Sequence, residues 1–285
     1  MLDAPPDAGA LTKNATGGNA VFELDSFPEC VEAGRISDDV SGSAYERVSH
    51  QVRALFKTNQ ALVQAAFREQ PDELCCRLAS RASGFILQRV RRPVDWVLVH
   101  AGGAEAARLS AVLMAVRLAG VGMPLVVFPS GLAPSDEALT VLELCGIEHA
   151  FCLDGESTET LVRVLASHGL GRLVTFGAER RLGLAAVETG VVWHPLPAVI
   201  RVRLDPALSR QIRETVRALL PSAVLAAEGE ASDVFYHAGG TPPDPKAALQ
   251  LAEPLAGCWL EPSLPPEFFT EDAFSASLLQ NDLWT

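Results

Sequence analysis

The amino-acid sequence predicts an α/β protein built on a doubly wound, mostly parallel, Rossmann-like sheet. From Pro93 to Ile200, short apolar runs alternate with amphipathic segments, and the runs begin about every 20 to 30 residues, which is the size of a βαβ unit. The runs are apolar throughout, as in strands that are covered on both faces. Together these observations predict a parallel sheet with helices on both sides, over residues 93–200.

The residues before this sheet fall into two segments. Residues 1–43 begin with a stretch rich in Ala, Gly, Pro and Asn and are predicted to be a flexible N-terminal segment. Residues 44–92 are predicted to be a helical segment, because apolar side chains recur at three- and four-residue steps from Ala44 to Arg81. A further helix is expected to begin at Pro71 and to carry Leu78.

Five strands are predicted in the sheet, separated by four helices. The strands are Trp96–His100, Leu125–Phe128, His149–Leu153, Leu173–Phe176 and Gly190–Trp193. The first three helices are expected to end at Gly120, Gly146 and Gly169. Ser135 is predicted to be the N-cap of the second helix, and Leu182–Val187 to form the fourth.

Residues 201–285 are predicted to form a smaller C-terminal α/β segment and a tail. A helix is expected to begin at Asp205-Pro206, since Asp is a good N-cap and Pro suits the first turn. Its predicted core face carries Leu208, Ile212, Val216 and Leu219. The elements expected after it are a strand at Val234–Tyr236, a short helix at Ala247–Ala252 and a strand at Cys258–Leu260.

Composition excludes several function classes. The chain has 23 basic and 35 acidic side chains and a net charge of −12, so it is expected not to bind nucleic acid. The basic run Arg89, Arg91 and Arg92 is interpreted as a solvated approach to the first strand. The N-terminus has no signal-peptide pattern, and no apolar run reaches membrane-spanning length.

The six cysteines are scattered and form no C-x-x-C pair. This usage is typical of a reducing compartment and predicts a cytoplasmic protein. Cys145 and Cys152 lie in apolar runs and are expected to be small buried side chains. The six histidines have no ligand-like spacing, so no metal site is predicted.

Candidate binding residues follow the predicted strands, because ligands of parallel sheets collect at the carboxyl ends of the strands. These predicted cofactor-binding residues are Gly102, Gly103, Ser130, Gly131, Asp154, Gly177 and Glu179. The glycine pair before the first helix is the best anion site, since it lets a ligand approach free backbone N–H groups. However, it is not a G-x-G-x-x-G motif, and Glu105 adds negative charge in the next turn. The alternative is that these glycines only make a tight turn.

Two residues are candidates for catalysis. His100 ends the first predicted strand, and Cys258 lies in "LAGCWLEP". Cys258 would need a nearby base to act as a nucleophile, either His100 or His237. The alternatives are a capping or packing histidine and a buried thiol.

Several stretches resemble histidinol dehydrogenases, which share the aldehyde dehydrogenase-like fold. The similar stretches are "GFILQRVRRPVDWVLVHAGG", "SAVLMAVRLAGV" and "ALTVLELCGIEHAFCLDGESTETLVRVLASHG". "HGLGRLVTFGAERRLGLAA", "VFYHAGG" and "GCWLEPSL" are similar to stretches of aldehyde dehydrogenases. The resemblance covers residues 84–190 and, more loosely, 230–265. It implies an oxidoreductase-like protein of an NAD-dependent superfamily.

The chain departs from that family at its catalytic segments. The family places its acid–base Glu and His in an "ApEHLE" segment, and the nearest match, "LAGCWLE", has Cys258 and Trp259 in place of the pair. The family's zinc-binding "SQAEHD" segment has no counterpart. The resemblance therefore supports the fold. NAD remains a possible cofactor, but the sequence contains no motif that predicts NAD binding.

Three functions are compatible with these observations. The first is a degenerate dehydrogenase that binds a small molecule at the carboxyl ends of the strands, or a partner, without zinc-dependent turnover. The second is an active oxidoreductase or acyl-transfer enzyme with a reassigned site at the same edge. The third is a dimeric interaction protein whose apolar tail packs on a partner chain, through Phe268, Phe269, Leu278 and Trp284.

Overall fold

The computed structural model describes residues 26–67, 77–82, 85–240 and 244–278. In chain order, its first elements are α1 (Glu29–Glu32), α2 (Asp38–Arg47), α3 (His50–Phe67), β1 (Arg77–Ala82), β2 (Phe85–Pro93), β3 (Trp96–His100), α4 (Ala106–Leu118), β4 (Met123–Pro129), α5 (Asp136–Cys145) and β5 (His149–Leu153). The remaining elements are α6 (Gly155–His168), β6 (Gly171–Phe176), α7 (Arg180–Glu188), β7 (Val192–Leu196), β8 (Arg201–Leu204), α8 (Arg210–Leu219), β9 (Val224–Leu225), β10 (Ser232–His237), β11 (Ala247–Ala252), a 3-10 turn (Pro266–Phe269) and β12 (Thr270–Leu278).

These elements form three sheets. Five parallel strands have the order β5-β4-β3-β6-β7, four parallel strands have the order β11-β10-β8-β9, and three antiparallel strands have the order β1-β2-β12. None of the helices in the described ranges is long and apolar enough to cross a membrane.

The five-stranded sheet confirms the predicted Rossmann-like architecture. All side chains of β3 are buried, and so are those of α4 except Arg117. The side chains of β3 alternate between two apolar clusters, as expected for a central strand that is covered on both faces. The Ser135 hydroxyl accepts a hydrogen bond from the backbone N–H of Ala138 and caps α5. Gly146 ends α5 in a left-handed conformation, with φ of 65°. These capping predictions are confirmed.

The fifth strand lies later than predicted. The expected strand was Gly190–Trp193, whereas β7 runs from Val192 to Leu196. Gly190 has φ of 74° and belongs to the turn that follows α7, so it cannot begin a strand.

The second half of the segment predicted to be flexible, residues 1–43, contains α1 and the beginning of α2. Residues 1–25 lie outside the described part of the chain. From Phe27 onward the chain packs along β5: the backbone N–H of Ile36 donates to the Ala150 carbonyl, and that of Cys152 donates to the Gly34 carbonyl. We refer to residues 27–36 as the strap. Its fixed position arises from pairing with a strand more than a hundred residues away.

In the predicted helical segment at residues 44–92, the described residues up to Phe67 include α2 and α3, whereas those from Arg77 onward form the strands β1 and β2. The start of the helix predicted at Pro71 lies outside the described residues, but Leu78 lies in β1 rather than in a helix. β2 pairs with β1 on one side and with β12 on the other. Because β12 is far away in the sequence, the local pattern carried no sign of this sheet. The run Arg89–Arg92 is part of β2, and both Arg89 and Arg91 form ion pairs with Asp272 on β12.

The C-terminal segment is α/β as predicted, but three of its elements differ. Ala247–Ala252 is strand β11 and not a short helix, since it pairs in parallel with β10. Cys258–Leu260 has no regular secondary structure. The predicted helix begins at Arg210, where the Ser209 hydroxyl accepts from Ile212. Asp205 instead accepts a hydrogen bond from Ala207 in the preceding turn.

The apolar tail residues pack partly within their own chain. Phe269 is completely buried, and the Phe268 ring contacts His194 and Arg172. Leu278 ends β12, and Trp284 lies outside the described residues. The Phe268–Phe269 pair therefore closes the chain's own core.

Candidate functional site

The carboxyl ends of the parallel strands meet at one edge of the five-stranded sheet. β3, β4, β5 and β6 run in the same direction, so the residues that follow them lie along this edge, as predicted. The edge is continuous, because the backbone N–H of Ala101 donates to Val127 and that of Ser130 donates to Leu153. The sequence thus placed its candidate cofactor residues on the edge where ligands of such sheets bind.

The Gly102-Gly103 turn joins β3 to α4 in a conformation that suits glycine. Gly103 has φ of 74°. A Cβ atom on Gly102 would lie 3.2 Å from the Cε1 atom of His100 and 3.4 Å from the Cγ atom of Pro129. The turn therefore needs glycine for its backbone and for the close approach of the His100 ring, whether or not it holds a ligand.

A cavity of about 300 Å³ opens beside this turn, and we call it the turn cavity. It lies between the start of α4, the end of β4, the start of α5 and the chain after α8. Its lining residues are Ala101, Gly103, Ala104, Glu105, Ala106, Phe128, Pro129, Leu132, Ala133, Pro134, Ser135, Glu137, Ala138, Ala218, Leu219, Pro221 and Ser222. Its volume is at the lower end of the range for small-molecule sites.

The other predicted cofactor residues lie on the same edge but do not line the turn cavity. Ser130 and Gly131 follow β4. Asp154 is the N-cap of α6 and accepts a hydrogen bond from the Ser157 backbone N–H. This bonding lowers the pKa of the Asp154 carboxyl. Gly177 has φ of 98° in the turn after β6, and Glu179 is the N-cap residue of α7. Of the predicted set, Gly103 alone lines the cavity.

The sequence suggested that Glu105 adds a negative charge at the turn, but the structure shows that this charge is not free. Glu105 is the N-cap residue of α4, and its side chain is 1% exposed and forms an ion pair with Arg108 at 3.2 Å. The Arg108 guanidinium lies over the rings of Phe176 and Trp259 and donates to the Pro197 carbonyl. The charge of Glu105 is therefore balanced inside the protein.

His100 is buried at the end of β3, beneath the glycine turn. Its Nδ1 atom has no hydrogen-bond partner among the described residues. Burial lowers the pKa of the imidazole, an effect that the charge of Glu179 partly opposes. His100 is thus held mainly neutral at neutral pH, next to the candidate edge but covered by Gly102 and Pro129.

Cys258 lies in the core rather than at the strand edge. Its side chain is 0% exposed, and burial raises the pKa of its thiol to about 12. The Tyr236 hydroxyl donates to the Cys258 carbonyl at 2.6 Å, and the Asn59 side chain accepts from the Trp259 backbone N–H at 2.6 Å. A buried, protonated thiol is a poor nucleophile, so the geometry argues against the catalytic role predicted for Cys258.

Sequence reasoning missed two parts of this region. The chain after α8, at Pro221 and Ser222, lines the turn cavity, and no local pattern indicates which sheet it approaches. The buried Arg108 was also missed, although one arginine within the otherwise apolar stretch "AARLSAVLM" was a usable sign of a buried ion pair.

The described residues do not offer a metal site. In the parts of the chain that the structure describes, no three His, Cys, Asp or Glu side chains lie together in a way that could hold a metal ion. A phosphate or carboxylate suits the turn cavity better, because residues at the starts of α4 and α5 line it and the start of a helix favours an anion. The volume suits a single nucleotide or a smaller metabolite more closely than an enclosed dinucleotide.

The amino-acid sequence matches a known protein family. A family model described as Histidinol dehydrogenase matches residues 13–158, just over half of the chain. No curated protein matches the chain in sequence.

Solved structures show the same relationship at the level of fold. The chain is similar to the histidinol dehydrogenase from Elizabethkingia anophelis, with a TM-score of 0.54 and 12% identity over 86% of this chain and 77% of that one. Succinic semialdehyde dehydrogenase from Streptococcus pyogenes, in complex with NADP+, gives a TM-score of 0.38 and 9% identity over 75% of this chain and 56% of that one. Lactaldehyde dehydrogenase from Escherichia coli gives a TM-score of 0.38 and 12% identity over 69% of this chain and 46% of that one. The chain spans about half the length of these two aldehyde dehydrogenases.

Proposed function

Since the chain belongs to the histidinol dehydrogenase family, we propose that it uses the family fold to bind a small anionic metabolite or nucleotide in the turn cavity. In this proposal the protein does not carry out zinc-dependent dehydrogenation. NAD is one candidate ligand, and the cytoplasm, which the scattered cysteines predict, is the proposed location.

One observation carries the proposal. The segment "LAGCWLE", which the resemblance matches to the family's acid–base segment, is buried and hydrogen-bonded: Trp259 is 4% exposed, and its backbone N–H donates to Asn59. Its ring instead stacks on Arg108. Residues at these positions therefore stabilise the core, while the turn cavity at the strand ends stays open to a ligand.

The ligand class follows from the helix starts that line the turn cavity. The partial positive charge at the starts of α4 and α5 favours an anion, and α4 begins without a side-chain cap for its backbone N–H groups. Glu105 does not oppose this, because Arg108 balances its charge. Glu137 also lines the cavity, and its carboxylate limits how strongly an anion binds.

A ligand screen tests the proposal. The protein is mixed in turn with AMP, NAD, NADP, coenzyme A and inorganic phosphate. At least one of these compounds is expected to raise the thermal unfolding midpoint, since a ligand that binds only the folded state stabilises it. Leu132→Asp places a negative charge at the cavity wall and should abolish the shift. Leu170→Asp, the same substitution at an exposed leucine outside the cavity, should retain it. No shift with any compound, or equal shifts in both variants, would contradict the proposal.

Turnover separates binding from catalysis. We expect no reduction of NAD when the purified protein is mixed with histidinol, with or without added zinc. NADH formation that a chelator abolishes would show an active zinc enzyme and would remove the second half of the proposal.

A homodimer is a second candidate, favoured by the surface of the three-stranded sheet. Leu87 on β2 and Phe274 on β12 lie on the same face, because Phe274 pairs with Arg89, two residues from Leu87. Phe274 is 74% exposed. Exposed apolar groups on an antiparallel sheet are typical of an interface, so we propose that two copies of the chain meet through this face, rather than through Phe268 and Phe269.

A further inference from the structure

The four-stranded sheet has two faces of different character. Val202, Val234 and Leu249 point inward and belong to the main apolar cluster. The alternate residues Arg203 and Phe235 pair with each other across β8 and β10 and point to the other face. On that face the Arg203 guanidinium lies 4.2 Å from the centroid of the Phe235 ring.

Residues 226–230 and 244–246 flank this outer face, beside a cavity of about 580 Å³. Two hydrogen bonds hold these residues: Lys246 Nζ donates to the Gly229 carbonyl at 2.7 Å, and Gln250 donates to the Asp244 carbonyl at 2.7 Å. Arg203 joins them from below, donating to the Asp244 carboxylate and to the Glu230 carbonyl. The cavity is therefore a built feature of the fold, and its volume is within the range of small-molecule sites.

The charged groups that line this cavity are mainly negative. Asp205, Glu228 and Asp244 contribute carboxylates, and Arg203 is the cation of the lining. Arg203 forms an ion pair with Asp244, whereas Asp205 and Glu228 form no ion pair with the described residues. The Asp205 carboxylate is positioned by the backbone N–H groups of Ala207 and Ala238, at the carboxyl end of β8, and it keeps its negative charge for a cationic ligand.

The uncharged part of the lining is apolar. Phe235 lies at the base, and Ala226, Pro206 and Pro245 form the walls. A ligand that fills the cavity would bury an apolar body against these side chains and hold a positive group near the carboxylates of Asp205 and Glu228.

We propose that this cavity is a binding site for a small organic cation, in which a primary amine is joined to an apolar or aromatic group. It is separate from the turn cavity, since the two have no lining residue in common. The proposal does not depend on the function proposed above.

Three probes of similar shape test the charge preference. Phenethylamine, 2-phenylethanol and phenylacetate differ mainly in charge, and ligand-observed NMR titration of the full chain measures the affinity of each. Phenethylamine is expected to bind most tightly and phenylacetate most weakly. Equal affinities, a preference for phenylacetate, or no binding of phenethylamine would overturn the proposal.

Variants locate the site. Glu228 is exposed and takes no part in the hydrogen bonds or ion pairs of the described residues, so Glu228→Gln should preserve the fold. It is expected to weaken phenethylamine binding about threefold to fivefold, the size of a partly exposed charge pair. Glu143→Gln, the same change at an exposed site on α5, is the control and should leave the affinity unchanged.

A second variant does not depend on charge. Ala226→Phe fills the cavity and should abolish phenethylamine binding, while the far-ultraviolet circular dichroism stays that of the native protein. Undiminished binding in Ala226→Phe would place the amine elsewhere and overturn the proposal.

Discussion

His100 shows how a residue that was predicted as catalytic acquires a different role through its surroundings. The sequence placed it correctly at the end of β3, because the strand was a clear apolar run. Its burial beneath Gly102 and Pro129 could not be predicted, since it depends on the path of the turn and on the neighbouring strand β4. A neutral, unpartnered imidazole in this position responds to pH in a definite direction.

We expect His100 to make the protein less stable as pH falls below about 6.5, the ordinary pKa of histidine. Burial lowers the pKa in the folded state, so the unfolded chain takes up a proton at higher pH than the folded chain does. Stability is therefore fully present above the unfolded pKa and declines below it. In urea unfolding measurements, the free energy of unfolding of His100→Leu should decline less between pH 7 and pH 5 than that of the wild type.

His149 and His194 also have lowered pKa values because of partial burial, so some decline should remain in that variant. His50→Leu, an exposed change on α3, serves as the control. If the free energy of unfolding declined equally with pH in the wild type and in His100→Leu, His100 would not be a buried neutral group.

Among the elements, α4 contacts both α3 and the segment that carries Trp259 through the side chains of Asn59 and Arg108. Its boundaries were predictable, since Gly103 precedes it and Gly120 follows it. Its partners were not, because Asn59 on α3 donates to the Ala107 carbonyl of α4 and accepts from Trp259. Those contacts join residues about 50 and 200 positions apart, beyond the reach of a local periodicity.

Arg108→Met is expected to lower the free energy of unfolding by about 3–5 kcal/mol, the usual effect of leaving a buried carboxylate without its partner. The carboxylate in question is Glu105, which is 1% exposed. The double variant Glu105→Gln/Arg108→Met should recover much of this loss, because it buries no charge. Denaturant unfolding of the four proteins in the cycle measures both effects. A loss below about 1 kcal/mol in the single variant would show that the pair is not buried as described.

At the scale of the whole molecule, the sequence predicted the five-stranded sheet and an α/β C-terminal part, placed the strand Val234–Tyr236 within β10, and missed the three-stranded sheet. The five strands are continuous apolar runs separated by helices, so their local pattern and their partners agree. β11 was mistaken for a helix because the six residues Ala247–Ala252 are too short for their period to separate helix from strand. β1 and β2 were missed because β2 depends on β12, at the other end of the chain.

The same long-range sheet provides the test of the proposed dimer. If two copies meet through the face that carries Phe274, light scattering after size exclusion should give twice the monomer mass of 30.3 kDa, and Phe274→Asp should give the monomer mass. Val187→Asp, a similarly exposed apolar site on α7, should not change the mass. A monomeric wild type, or a Phe274→Asp protein that remains dimeric, would rule out this interface.

The strap has a consequence for the behaviour of the chain in concentrated solution. It occupies the open side of β5 through Gly34 and Ile36, and a Cβ atom on Gly34 would lie 2.4 Å from the Cys152 carbonyl oxygen. Without the strap, β5 would present the apolar sequence "HAFCL" as an exposed strand edge, which is the form that recruits other chains into aggregates. The residues 27–36 thus act as a built-in guard against self-association, and a version of the protein that starts after them would precipitate sooner.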